Sequence, residues 1–265
     1  TGRKTPSPAA AIYEVDFLAE DNLDNSSLTN NGTAFTTQAF NHTNDLLLVT
    51  DRGTWQAAGT FRPQYSQALD AIGQPYDLWD TYFYGEVPLP TLQLYCEGVV
   101  IWATQNWATI YTAQVQQNIQ NYLDGGGRLL VSGNYVGDYS GSSDFYQDVL
   151  HASCMGNMPN GYQLSGVPGD PIGRNMSLSL ANMGNHPDGL APLAPATGVF
   201  SYTAAPVYAA GLRVDTGTYR LVYLGFGIET IQNTGDRNLV LERSIDWLLG
   251  VETHTIYLPL VIRGS

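Results

Sequence analysis

The chain has 265 residues, 43% of them hydrophobic and only 13% charged, which is enough for one large domain with a buried core or two small ones. Eleven Lys and Arg against 24 Asp and Glu leave a net charge of −13, a surface that repels phosphate backbones and anionic lipid and so excludes nucleic acid as a partner. No run of 18 apolar residues is present, so no membrane insertion is expected.

In chain order, residues 1–10 (TGRKTPSPAA) read as an arm, because Pro and small polar residues build no core. The next segment, AIYEVDFLA, alternates with Ile12, Val15 and Phe17 and predicts a strand; the Asn- and Thr-rich stretch up to Asn44 predicts loop. From Asp45 the pattern changes. Asp45–Asp51 (DLLLVTD), Tyr76–Thr81 (YDLWDT), Gly98–Thr104 (GVVIWAT) and Arg128–Ser132 (RLLVS) are short apolar runs suited to strands buried on both faces. Between them, residues 63–72 look helical. A second helix starts at a Thr112 cap, shares a face of Val115, Ile119, Tyr122 and Leu123, and stops at Gly125-Gly126-Gly127. Ser142, Ser143 or Asp144 can cap a further helix through Leu150.

Residues 151–218 are rich in Gly, Pro and Asn and read as β-hairpins and loops inserted before a core strand, Tyr219–Gly225. A helix from near Asp236 to Leu249 buries Leu241, Ile245 and Leu248. The tail, HTIYLPLVIRGS, sets Ile256, Leu258, Leu260 and Ile262 on one side of a strand that Pro259 confines to an edge. The alternation predicts an α/β three-layer sandwich around a mostly parallel sheet. Its parts are an N-terminal arm with a strand (1–44), the α/β domain (45–250) and a C-terminal strand tail (251–265).

In such sheets ligands sit beyond the carboxyl ends of the strands. That rule selects Asp51, Thr104, Gln105, Asn134, Tyr135 and Glu229 as candidate lining of one crevice. The phrases YDLWDT, GVVIWAT, YLDGGGRLLVSG and LVYLGFGIETI…LVLERSIDWLLG resemble, in this order, the class I glutamine amidotransferase-like (flavodoxin-like) superfamily. The likeness is to its divergent form, an accessory domain of secreted bacterial proteases and surface proteins, and covers roughly residues 45–250. Catalytic members of the superfamily carry a cysteine in a Gly-x-Cys-x-Gly turn and a histidine in Phe-His-Pro-Glu. Here the corresponding stretches are Gly133-Asn134-Tyr135-Val136-Gly137 and Phe226-Gly227-Ile228-Glu229, so the nucleophile position is Tyr135 and the base position Gly227, while Glu229 survives.

The resemblance therefore implies a pseudo-enzyme with no catalytic residues: a non-catalytic binding or docking module, part of a larger secreted or cell-surface bacterial protein. A single lysine (Lys4), the N-x-S/T triplets at Asn25, Asn31, Asn41 and Asn175, and a start at Thr1 without a leader pattern suit a processed, exported chain. Its partner would be a protein or the parent polypeptide. Two alternatives stay open: an extracellular structural subunit whose terminal strands pair with copies of itself, and a hydrolase with a site relocated to residues 151–218, such as Ser132, His186 and an aspartate like Asp170. No metal or cofactor is expected. The four histidines lack zinc spacing, Asp138–Asp144 reads more simply as a turn and helix cap than as a calcium loop, and no phosphate-binding glycine motif opens a helix. Cys96 and Cys154 could pair in an exported protein, although a domain this size needs no staple. The aromatics Trp55, Trp79, Tyr82, Phe83, Tyr84, Trp102, Trp107 and Tyr111 gather near the first three strand ends, as packing or as a stacking surface.

Overall fold

An unbroken apolar row such as Leu46-Leu47-Leu48-Val49 is comfortable only where both faces of a strand are covered. In the computed structural model all four side chains are fully buried on a strand that lies one in from the edge of a large sheet. The structure describes residues 40–51, 61–104, 111–158, 162–181, 187–204 and 206–251, together with four short strands between residues 12 and 36. Thr1–Thr43 and Asn44–Ser265 form separate compact units.

The first unit holds β1 (Ile12–Tyr13), β2 (Phe17–Glu20), β3 (Ser26–Thr29) and β4 (Phe35–Thr36), paired antiparallel as β1 with β4 and β2 with β3. The sequence pointed to a strand followed by loop. The structure instead gives the polar stretch two strands, because Ser26–Thr29 pairs through backbone groups that need no apolar pattern. The tail expected at 255–262 lies outside the described residues.

In the second unit strands and helices alternate as expected: β5 (Leu46–Asp51), α1 (Arg62–Ala71), β6 (Asp77–Asp80), the short α2 (Thr81–Tyr84) and α3 (Leu89–Gln93), β7 (Val99–Thr104), α4 (Ala113–Asp124), β8 (Arg128–Gly133) and α5 (Val136–Ser140). The Thr112 side chain caps α4 by accepting from Val115 N–H at 3.2 Å, and the chain turns out of the helix through Gly126 at φ 92°. The helix expected through Leu150 is a π-helical turn, Phe145–Val149, whose first amides are met by Ser143 Oγ accepting from Tyr146 N–H at 3.2 Å. Then follow β9 (Ala152–Asn157), β10 (Gln163–Gly166), β11 (Ser177–Ser179), β12 (Asp188–Pro192), β13 (Thr197–Tyr202), β14 (Ala209–Asp215), β15 (Arg220–Leu224), a 3₁₀ turn at Ile228–Thr230, and α6 (Thr234–Leu249).

These strands make one 11-stranded sheet. Its parallel part runs β6-β5-β7-β8-β15, so that in chain order the core strands lie 2-1-3-4-5, the flavodoxin-like arrangement. The hairpins of residues 151–218 carry the same sheet onward, antiparallel, through β14, β13, β10 and β11, with β12 and β9 attached beside β14. Alternation along each strand divides the core. Leu46, Leu48, Val99, Ile101, Leu130, Val222 and Leu224 pack under α1 and α6. The intervening residues point to the other face, where Trp102 meets Tyr111 just ahead of α4. No helix among the described residues is long and apolar enough to cross a membrane.

Candidate functional site

Strand order reverses between β5 and β7, which are neighbours although β6 lies between them in sequence, and this reversal is where an α/β sheet leaves room for a ligand. Asp51 stands opposite Thr104 there, and Thr104 stands opposite Gly133 of β8. Gln105 and His186 lie outside the described residues. Thr104 and Asn134 are buried, Asp51 partly so.

The turn from β8 into α5 has the shape its sequence promised. Tyr135 sits at φ 64°, ψ 5°, in left-handed space that costs a residue with a β-carbon roughly 1 kcal/mol or more and persists only where the surroundings enforce it. Both flanking glycines are required by contact. A Cβ at Gly133 would collide with the Thr104 carbonyl, and one at Gly137 would stand 2.8 Å from Cys154 Sγ and 3.0 Å from Tyr146 Oη. The chain thus keeps a strained elbow of the kind that presents nucleophiles, with a tyrosine at its apex. The Tyr135 ring is buried, leans on Tyr139 at 6.3 Å, and burial raises its phenol pKa above the ordinary 10.0.

Beneath the elbow lies a residue the sequence analysis did not select. Asp188, at the start of β12, is wholly buried, and its Oδ2 accepts from Gly137 N–H at 2.7 Å and from the Tyr223 hydroxyl at 3.1 Å. The Tyr202 hydroxyl donates to the Asp188 carbonyl at 2.9 Å, and the Tyr146 and Tyr223 hydroxyls lie 3.3 Å apart. Burial lifts the Asp188 pKa from 3.8 to about 7, against the pull of Gly137 N–H and Tyr223. The amide two residues past the elbow's apex is therefore taken by the protein's own carboxylate.

Glu229 is on the opposite face of the sheet and only 5% exposed. The Tyr65 hydroxyl, reaching in from α1, donates to Glu229 Oε2 at 3.0 Å and lies 2.9 Å from Ser132 Oγ. Ser132 in turn accepts from Ile228 N–H at 2.9 Å and donates to the Phe226 carbonyl at 3.0 Å, so its hydroxyl is fully engaged in structure. Burial and the neighbouring carboxylate hold the Tyr65 phenol protonated well past its ordinary range. A Cβ at Gly227 would run into the Glu229 carboxylate, which has folded into the space where a side chain at 227 would begin. Of the described candidates, Asp51 and Thr104 stand together at the strand ends on the face of Trp102, while Glu229 lies under α1.

On the Trp102 face, Thr81 of α2 donates to Asp51 Oδ1 at 3.1 Å. Burial raises the Asp51 carboxyl from 3.8 to about 6, Glu86 adding to the rise and Thr81 lowering it. The Trp102 indole N–H also faces and lowers this carboxyl, yet falls short of hydrogen-bond geometry. Among the described residues neither Trp102 Nε1 nor Tyr111 Oη, both buried, finds a hydrogen-bond partner, and their rings lie 5.8 Å apart. On α2, Phe83 and Tyr84 are 67% and 51% exposed, Tyr84 lying against Trp79 at 5.3 Å.

The remaining sequence candidates have structural duties. Asp170 accepts from Ile172 and Gly173 N–H and pairs with Arg213 at 2.7 Å. Asp138 accepts from Asn157 Nδ2 at 2.6 Å. Cys96 and Cys154 are both free thiols. Among the described residues no group of three or more His, Cys, Asp or Glu side chains is placed to hold a metal ion.

No protein-family model and no curated protein sequence matches the chain. Solved structures do. The N-terminal domain of mmIFT52 superposes with a TM-score of 0.55 at 16% identity, over 80% of this chain and 100% of that one. A putative ThuA-like protein from Parabacteroides merdae gives 0.52 at 12% identity, over 80% and 92%. The exo-β-1,4-mannosidase Op5Man5 from an Opitutaceae bacterium gives 0.52 at 9% identity, over 78% of this chain and 36% of that one. At such identities the likeness speaks for the fold alone: an α/β sandwich with the flavodoxin-like strand order.

Proposed function

We propose that this chain is a non-catalytic, exported binding or docking module whose ligand surface is the carboxyl rim of the sheet around β5, β7 and α2. The observation that carries the reading is the Asp188 carboxylate on Gly137 N–H. Backbone amides at such an elbow are the natural stabilisers of an attacking anion or a tetrahedral oxyanion. Here one of them is neutralised from within, beside an apex residue whose phenol holds its proton more tightly than a free tyrosine.

Loss of the base is matched by a similar filling-in at the other strand end. Glu229 occupies the space next to Gly227 and is tied to Tyr65, so the carboxylate that would orient a histidine has become part of the core. Export is supported by the single lysine, the low charge and the abundant Asn, Thr and Tyr. The exposed rings of Phe83 and Tyr84, beside a partly buried carboxyl at the point of strand reversal, support binding at this rim.

The test is incubation with an electrophilic glutamine analogue, followed by intact-mass and peptide analysis. The expected result is an unmodified chain. A covalent adduct on Tyr135, Cys154 or any other rim residue overturns the non-catalytic reading.

A further inference from the structure

We infer that the hollow at the amino-terminal rim of the sheet, between the starts of β8 and β15 and the end of α6, binds a small organic carboxylate whose head group lies between Arg128 and Arg220. This site is at the opposite end of the strands from the docking rim proposed above and does not depend on that reading.

The hollow measures about 530 Å³, a size that holds a small molecule. Glycines keep it clear. The turns on either side pass through Gly126 at φ 92° and Gly217 at φ 83°, and a side chain begun at Gly217 would meet nothing within 4 Å. Arg128 and Arg220 are register partners on adjacent parallel strands, so their side chains leave the same face of the sheet. Like charges set side by side in this way repel unless something negative bridges them. Arg220 is fixed in place: its Nε donates to Asp215 Oδ2 at 3.0 Å, one Nη donates to the Trp247 carbonyl at 3.0 Å, and the guanidinium lies over the Trp247 ring, 5.5 Å from its centroid. Asp215 is committed as well, its other oxygen accepting from Gly217 N–H at 3.0 Å. Arg128 has no such anchor. Its side chain makes one long bond, 3.3 Å to the Cys96 carbonyl, and pairs with no carboxylate among the described residues.

A guanidinium presents five N–H donors in a planar fork. After the bonds above, the second Nη of Arg220 and most of the Arg128 fork meet no protein acceptor among the described residues. Charge then selects the ligand. Arg128 and Arg220 against Asp215 leave the lining with one net positive charge. A cation is repelled, and a neutral molecule leaves that charge unanswered. A dianion such as phosphate reverses the sign beside Asp215 and beside Asp124, whose charge acts on Tyr219 in the wall. It would also face the carbonyl ends of α4 and α6, where the helix dipole disfavours negative charge. A single carboxylate balances the lining, and its two oxygens match the fork of an arginine. Leu249, 39% exposed at the end of α6, offers the organic part an apolar surface.

The experiment records the arginine Nε–H and backbone amide resonances of the intact chain by NMR during titration with sodium butyrate and sodium benzoate. Butyramide, benzamide, sodium chloride and inorganic phosphate serve as comparisons. Butyrate or benzoate is expected to move the Arg128 and Arg220 Nε–H signals and the Gly217 amide saturably, with a dissociation constant on the order of 1 mM, and the two neutral amides to move none of them. Arg128→Gln should weaken binding about tenfold while leaving the urea-unfolding midpoint unchanged, since it gives up a single long hydrogen bond. Arg128→Lys keeps the charge without the fork and should recover only part of the affinity. The inference is overturned if neither carboxylate shifts these signals, if chloride reproduces the shifts at the same concentrations, if phosphate binds more tightly than both carboxylates, or if Arg128→Gln binds as the unchanged chain does.

Discussion

Tyr65 and Tyr111 are both buried tyrosines near the carboxyl rim, on opposite faces of one sheet, and their hydroxyls meet opposite fates. Tyr65 joins Glu229 and Ser132 in a closed network, with Ile228 N–H and the Phe226 carbonyl completing it. Among the described residues the Tyr111 hydroxyl meets no hydrogen-bond partner, and neither does the Trp102 indole N–H beside it. The difference teaches which buried polar groups the fold satisfies from within and which it leaves over. On the α1 face Glu229 is tied into the core, and on the Trp102 face two buried polar groups are left without a hydrogen bond among the described residues.

The elbow is the hinge of this comparison, because it fixes the strand ends from which both faces are built. Gly133→Ala is the most damaging change expected: its Cβ would overlap the Thr104 carbonyl, a backbone atom that cannot step aside. A loss of about 4 kcal/mol or more in urea unfolding, or failure to fold, is the expected outcome. Near-normal stability would show that the elbow relaxes freely and is not held under strain.

A pH series sharpens the contrast on the Trp102 face. The folded state raises Asp188 from 3.8 to about 7 and Asp51 from 3.8 to about 6. Below about pH 4 both states hold these protons, and the contribution to stability is complete. Between about pH 4 and 7 the unfolded chain releases protons that the folded chain retains, so stability falls as pH rises. For Asp188, the more deeply buried of the two, the loss amounts to about 4 kcal/mol in order of magnitude. Asp188→Asn should leave the unfolding midpoint little changed at pH 4 and raise it at pH 8. A variant weakened more at pH 8 than at pH 4 would mean that the carboxylate is stabilising when charged, and the elbow amide would then be an anion site in earnest.

The closed face yields to a smaller change. Tyr65→Phe deletes the hydroxyl that bonds Glu229, leaving a buried carboxylate short of a donor, and should cost about 2–3 kcal/mol. An unchanged unfolding midpoint would indicate that Glu229 is satisfied without Tyr65.

Much of this architecture could be read from the sequence, for reasons tied to particular residues. Leu46–Val49 and Val99–Ala103 are apolar without interruption, which only a doubly covered strand explains, and Thr112 and the three glycines after Asp124 mark the ends of α4. The spacing of Gly133 and Gly137 gave away the elbow, since both glycines are demanded by contacts that any strand–elbow–helix turn creates. Asp188 was hidden because His-Pro-Asp-Gly reads as an exposed turn, and its partner Gly137 is 51 residues away. β9 and β12 were missed for the same reason: a bulge between Asp188 and Leu190 breaks the alternation that would have announced them. Residues 63–72 read as a helix with nothing to single out Tyr65. That its hydroxyl reaches Glu229, 164 residues on, is a property of packing that no local pattern encodes.

The smallest expected effect is the most discriminating. Tyr111→Phe removes the same atom as Tyr65→Phe, from an equally buried ring, yet the deleted hydroxyl has no partner to lose. Taking an unsatisfied polar group out of the interior should leave stability unchanged or raise it by up to about 1 kcal/mol. Urea unfolding of the two Tyr→Phe variants side by side checks this: a Tyr111→Phe variant destabilised as much as Tyr65→Phe would show that Tyr111 is satisfied within the fold, and the two faces would then differ in topology but not in how they treat a buried hydroxyl.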